Sequence, residues 1–178
     1  ISTKIKATLN SQKRNGKFMG GIAPYGYQRN LPYDKHELII DEEQAEIVKR
    51  IYDLFVNGMG VKKIANLLTD ENIPIPSVSK NLNRGVKSSV YGVWQETTIS
   101  DILTNPTYKG DLTQCREYKV SYKSKKRRKN NKENWIIAKG ACPAIIDEET
   151  FTIVQDMYNK NKNRAENSKE YLLRGFLI

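Results

Sequence analysis

The residues best suited to reading a chemical surface lie in one short stretch, Gln95-Glu-Thr-Thr-Ile-Ser-Asp-Ile-Leu-Thr104. Ile99, Ile102 and Leu103 fall at i, i+3 and i+4, the spacing of one buried helix face. The opposite face then carries Gln95, Thr97, Thr98, Ser100, Asp101 and Thr104. None is bulky, and each can hydrogen-bond to base edges or phosphates. A short helix with its apolar side packed and a small polar side outward has the form that enters a DNA major groove.

A second chemistry is electrostatic. The chain of 178 residues has a formal net charge of +10, from 30 basic and 20 acidic residues. Such a surplus points to a polyanionic partner, and its distribution sharpens the point. Between Arg116 and Lys132 stand Arg116, Lys119, Lys123, Lys125, Lys126, Arg127, Arg128, Lys129 and Lys132, opposed only by Glu117. A run this charged cannot form a core. Lys123, Lys125, Lys126, Arg127, Arg128 and Lys129 are the expected phosphate contacts here. Lys80, Arg84 and Lys87, in a polar loop further upstream, are expected to add to them. The Gly-rich stretch after Arg14, with Lys17, Gly20 and Gly21, suits an extended arm lying in a minor groove.

Other chemistries find little support. The two cysteines, Cys115 and Cys142, stand far apart with no CxxC or histidine partner, so a zinc site is not expected. The single His36 falls in the sequence YDKHE and reads as a solvated loop residue. Lone cysteines fit a reduced intracellular protein. No serine has a histidine base nearby, and there is no Gly-rich phosphate loop or acidic metal cluster. No apolar run reaches the length of a membrane span, and the basic N-terminal stretch lacks the apolar core of a signal peptide.

The elements that must position these residues follow from periodicity and breakers. Ile1 to Lys13 is expected to be helical, with Ile1, Ile5 and Leu9 on one side. Gly16, Gly20, Gly21, Pro24 and Gly26 then break regular structure, and Tyr25, Tyr27 and Leu31 are expected to anchor the arm on the domain. His36–Ile40 is a candidate strand. Asp41 caps a helix to about Val56, with Gln44 at the capping-box position and Ile47, Val48, Ile51, Leu54 and Phe55 inward. A second helix follows Gly60 and ends before Pro74, burying Ile64, Leu67 and Leu68. The loop to the next helix is far longer than the three or four residues usual in a helix-turn-helix. The two helices are therefore either a helix-turn-helix with an insertion or unrelated. Trp94 is expected to be core. Asn105-Pro106 stops the third helix. Residues 111–122 and Trp135–Ala138 are expected as two strands, with the basic run as their extended tip. Asp147 caps a last helix to about Lys160, with Phe151, Val154 and Tyr158 inward. The fold class is α+β: a mostly helical domain with a helix-turn-helix-like core and a small antiparallel hairpin or sheet.

In order, these pieces resemble the central recombinase domain of the large serine recombinases, the phage integrases and mobile-element resolvases of the serine class. The resemblance is carried by Pro24-Tyr25-Gly26-Tyr27, Asp41-Glu42-Glu43, Val61–Leu68 with Asn72-Ile73-Pro74, Trp94, Ile102–Gly110, and Ile145–Phe151. It covers nearly the whole chain. It implies that residues 1–15 end a long helix leaving a catalytic domain, and that 16–30 are an arm. Residues 31–162 would form the DNA-binding domain, and 163–178 a linker and first strand of a zinc-ribbon-like module. The catalytic serine would lie outside this stretch, which would hold no catalytic residue and no cofactor, with zinc possible only in the following module. The implied partner is one half of a double-stranded attachment site, with self-association of the whole protein through other regions. The implied location is the cytoplasm of a bacterium, at the nucleoid. The apolar ending Tyr171–Ile178 reads as a cut within a longer chain. Basic residues are common on the family's third helix, whereas Ser100-Asp101 stands here. Asp101 would repel phosphate or accept from a cytosine amino group.

The rival reading is a basic RNA-binding or protein-docking module, with Tyr118, Tyr122 and Trp135 stacking on single-stranded bases.

Overall fold

The computed structural model describes residues 3–31, 33–78, 92–120 and 126–167. Helices surround one core, and among the described residues there are three two-stranded antiparallel ribbons, so the fold class is α+β.

Helix α2 (Glu42–Val56) is the centre of the core and buries Ala45, Val48, Ile51, Tyr52 and Phe55. Its start is fixed by Asp41, whose carboxylate accepts from Gln44 N at 3.3 Å. The capping box closes differently from the expected pattern. The Asp41 N–H donates to Gly26 O at 3.0 Å, while Gln44 Nε2 donates to Asp41 Oδ2 and Gln44 Oε1 accepts from Gly26 N. Gly26 thus supplies a tertiary partner for the helix end. Its φ of 86° is the left-handed region that favours glycine, and a Cβ there would lie 2.9 Å from Ile145 Cδ1. Ile47 and Leu54 are only half-buried, and Tyr52 takes the central place instead. Its hydroxyl makes that possible by donating towards Ile102 O and Leu103 O. A buried phenol needs such a partner.

Helix α3 (Val61–Asp70) packs Ile64, Ala65 and Leu68 against α2. It ends at Asp70; just beyond, Asn72 adopts φ 57°, and Ile73 N turns back to Leu68 O. Helix α4 (Glu96–Leu103) buries Ile99, Ile102 and Leu103 and packs on both α2 and α3. Helices α3 and α4 are therefore neighbours, although residues 71–95 separate them in sequence. Trp94 is the clasp between them: it is 3% exposed, its Nε1 donates to Ile73 O at 2.9 Å, and its N–H donates to Thr69 Oγ1. Tyr25 meets the Trp94 ring edge-on.

After α4, Asn105 caps a single 3-10 turn, Pro106–Lys109. This turn joins distant parts of the chain. Tyr108 OH donates to Tyr25 O, Tyr108 O accepts from Ile145 N and Ile146 N, and Thr107 O accepts from Tyr27 OH. Helix α5 (Glu148–Asn167), capped by Asp147 through Thr150 N, closes the core with Phe151 and Val154. Gln155 Nε2 donates to Leu103 O, at the end of α4.

Strands β1 (Tyr27–Asn30) and β2 (Asp34–Ile40) form the first ribbon. Strand β3 (Leu112–Gln114) pairs with β6 (Ile136–Ala138), and β4 (Glu117–Lys119) pairs with β5 (Arg127–Lys129). Together these four make one long hairpin, and helix α1 (Thr3–Arg14) lies against β6.

Several expectations need correction. Leu31 does not anchor the arm: it sits in the turn between β1 and β2, beyond the paired residues, and is 67% exposed. His36 is not a solvated loop residue but a member of β2. Its carbonyl accepts from Phe18 N at 2.7 Å, and its Nδ1 lies 3.2 Å from Phe18 O. Residues 111–122 are not one strand, because Cys115 adopts φ 63° and breaks the ladder. The basic run is not all tip, since Arg127–Lys129 is itself a paired strand. Residues 163–167 continue α5. Tyr122, Lys123 and Lys125 lie outside the described residues, as do Lys80, Arg84, Lys87 and the apolar end 171–178.

Candidate nucleic-acid interface

Helix α4 forms because its apolar residues share one stripe and Glu96 sits in its first turn, where the helix dipole favours a negative charge. With that stripe buried, the remaining residues must face away from the core. Gln95, Thr97 and Asp101 are exposed, while Thr98, Ser100 and Thr104 are half-buried. Gln95 holds the N-cap position without capping through its side chain. The Thr104 hydroxyl donates to Ser100 O at 2.7 Å, which leaves its oxygen as an acceptor. The face therefore keeps short donors and acceptors at its N-terminal end and middle.

The basic hairpin approaches the same face. Asp101 Oδ1 lies 3.5 Å from Arg116 Nη2 and 3.7 Å from Lys129 Nζ. Arg116 precedes β4 and Lys129 ends β5, so Asp101 holds both sides of the hairpin. The Arg116 guanidinium also stacks over the Trp135 ring, 5.4 Å from its centroid. Trp135 Nε1 donates to Asn130 O. In the ribbon, Glu117 lies opposite Lys129 and Tyr118 opposite Arg128. Successive strand residues point to opposite faces, so Arg127 and Lys129 share the face of Glu117, while Arg128 shares the other with Tyr118. Arg127 Nη1 comes to 3.8 Å from Glu117. Lys126, Arg127, Arg128 and Lys129 are all exposed.

The arm joins the same neighbourhood. Arg14 ends α1 and Lys17 is exposed. From Lys17 to Met19 the arm is tied down: Gln114 Nε2 donates to Lys17 O, and Gln114 Oε1 accepts from Met19 N. Phe18 is 6% exposed. The arm emerges at Gly21, which is exposed and where a Cβ would meet nothing within 4 Å, whereas Gly20 is half-buried and a Cβ there would lie 2.5 Å from the Phe18 ring. Lys13 Nζ lies 3.2 Å from Cys115 Sγ. Three consecutive residues at the base of the hairpin thus reach three other elements: Gln114 holds the arm, Cys115 meets α1, and Arg116 reaches α4.

Two residues beyond the expected set stand out. Arg116 enters the sequence reading only as one charge in a run, and its pairing with Asp101 is a tertiary contact that no spacing reveals. Arg29, on β1, lies 5.5 Å over Phe18 and donates to Gly20 O, so it braces the exit of the arm. A cleft of about 450 Å³ beside the arm is lined by Ile22, Pro24, Arg29, Leu31 and Pro76 among others. Among the described residues its lining contains no carboxylate or histidine. Among the described residues there is no cluster of metal-ligating side chains, and no helix is long and apolar enough to cross a membrane.

The helix and the cationic hairpin both fall within a stretch that matches a known family. The Recombinase family model matches residues 42–161, and the chain belongs to that family, in agreement with its resemblance to the large serine recombinases. It is 41% identical over 86 residues to the uncharacterized protein YefB of Bacillus subtilis (strain 168), a match covering 48% of this chain and 29% of that protein. Its fold is similar to a chain in the crystal structure of an LSR–DNA complex, with TM-score 0.54 and 22% identity over 89% of this chain and 40% of the other. A structure concerned with sequence requirements of the Listeria innocua prophage attP site gives TM-score 0.52 and 22% identity, over 94% of this chain and 58% of that one. The chain thus spans less than two thirds of each of these relatives.

Proposed function

We propose that this chain is a sequence-specific, double-stranded DNA-binding domain of a serine site-specific recombinase that integrates or excises a mobile element. Helix α4 enters the major groove and presents Gln95, Thr97, Thr98, Ser100 and Thr104 to base edges, while Asp101 on the same face pairs with the hairpin cations. The arm 14–24 crosses a minor groove. The hairpin Arg116–Lys132 grips the phosphate backbone. The partner is one half of an attachment site. Self-association, a following zinc-bearing module and residence at the bacterial nucleoid belong to the whole protein in this reading. The observation that carries it is the contact of Asp101 with Arg116 and Lys129, which puts the expected reading helix and the expected phosphate clamp on one surface.

The single-stranded RNA reading is disfavoured because a face of Trp135, one of its stacking platforms, is covered by Arg116.

Salt titration of duplex binding tests the proposal. With about five phosphates neutralised, log K should fall with log salt at a slope of about −4 to −5. Replacing Lys125, Lys126, Arg127 and Arg128 with alanine should flatten the slope and weaken all sequences alike. Replacing Thr98 should change base preference instead. A slope untouched by the fourfold replacement removes the clamp, and a preference for single strands removes the proposal.

A further inference from the structure

The carboxylate of Asp101 is the odd charge on this surface. It stands in the middle of the face expected to meet phosphates, where a negative group repels DNA. Its neighbours offer a different role from base reading. Arg116 and Lys129 come from opposite sides of the hairpin, and Asp101 Oδ1 lies within 4 Å of a nitrogen on each. Arg116 is the better-held partner: its side chain is 25% exposed and sandwiched between Trp135 and Asp101, whereas the Lys129 side chain is 81% exposed.

Resting on the DNA-binding reading above, we infer that Asp101 is a positioning residue: an electrostatic strap that holds the cationic hairpin to helix α4 and withholds its charge from non-cognate DNA. In the free protein, one carboxylate offsets two cations that would otherwise meet phosphates. On a sequence where α4 seats, the strapped hairpin already lies in register with the helix and the pair stays closed. On other sequences Arg116 and Lys129 reach phosphates only by opening the pair, at the modest cost of an exposed ion pair. The residue therefore trades affinity for discrimination.

The test is Asp101→Asn, which keeps the shape and removes the charge, in the 178-residue chain. The probes are the duplex that the wild-type protein selects from a randomised pool and a scrambled duplex of equal composition. Glu149→Gln makes the same charge change on exposed α5, outside the cluster, and serves as control. Asp101→Asn should bind the scrambled duplex about fivefold tighter, the upper range of one exposed ion pair, and lower discrimination by a similar factor. Its salt slope should steepen by about 1. Asp101→Glu should restore discrimination, and Glu149→Gln should leave it unchanged. In hydrogen exchange without DNA, amides of 117–119 and 127–130 should exchange faster in Asp101→Asn. Unchanged discrimination overturns the strap, as does an equal effect of Glu149→Gln, or a loss confined to one base position, which would make Asp101 a base reader. Should wild-type protein select no duplex, the DNA reading fails by itself, and hydrogen exchange still decides whether Asp101 holds the hairpin.

Discussion

Trp94 shows how much a single side chain carries in this molecule. It joins the end of α3 to the start of α4, distant in sequence, through Ile73 O and Thr69 Oγ1. Trp94→Ala should lower the unfolding free energy by ~3–5 kcal/mol, the usual cost of removing a buried aromatic. Trp94→Phe should cost less, because it keeps much of the packing and loses one side-chain hydrogen bond of ~1 kcal/mol. Urea unfolding distinguishes them, and equal midpoints would mean that Trp94 is not the clasp. The two thiols should differ sharply. Cys142 is buried and its pKa is pushed up to about 12, chiefly by desolvation. Burial likewise raises the Tyr27 and Tyr52 phenols above their ordinary value of 10.0. Because these folded-state values are raised, their contribution to stability is whole below the unfolded pKa values and is lost as pH rises. The urea midpoint should therefore be insensitive to these groups up to about pH 8 and fall at higher pH. A midpoint that climbs there would contradict the packing of these groups. A thiol reagent at neutral pH should label half-buried Cys115 in the folded protein and Cys142 only on unfolding.

At the scale of elements, the helices were legible and the ribbons were less so. Helix α2 starts at Asp41 and ends before Asn57, as its cap and apolar spacing require. The stripe of α4 is buried at Ile99, Ile102 and Leu103, the positions its periodicity marks. These signals are local, so one sequence suffices to read them. Tertiary contacts decided the rest. Tyr27–Asn30 pairs with β2 although the glycines before it suggest only an arm. The break at Cys115 has no local signal, since a left-handed cysteine is not what composition predicts. The tie between Gln114 and the arm spans more than ninety residues of sequence. Gln114→Ala should free Lys17 O and Met19 N and speed proteolysis between Phe18 and Gly21, with core stability reduced by only ~1–2 kcal/mol. Unchanged cleavage would mean that Gln114 does not restrain the arm. Gly26→Ala should be harsher, at least ~1 kcal/mol, because its φ is positive and its Cβ would press on Ile145.

Across the whole molecule, charge and packing divide the surface. The helical core of α2, α3, α4 and α5 supplies rigidity, and the exposed side of α4 faces the hairpin's cations. The net charge of +10 announced a polyanionic partner, but only the fold brings Arg116 and Lys129 to Asp101. If α4 and the hairpin form one duplex-binding face, they should respond to DNA together. The check is titration of isotope-labelled protein with the selected duplex, followed by backbone amide shifts. The largest changes should fall at 95–104 and 126–132, with smaller changes near Gly20 and Gly21 and little along 148–160. Changes centred on 148–160 with 95–104 silent, or the same pattern produced only by single strands, would contradict a shared duplex-binding face.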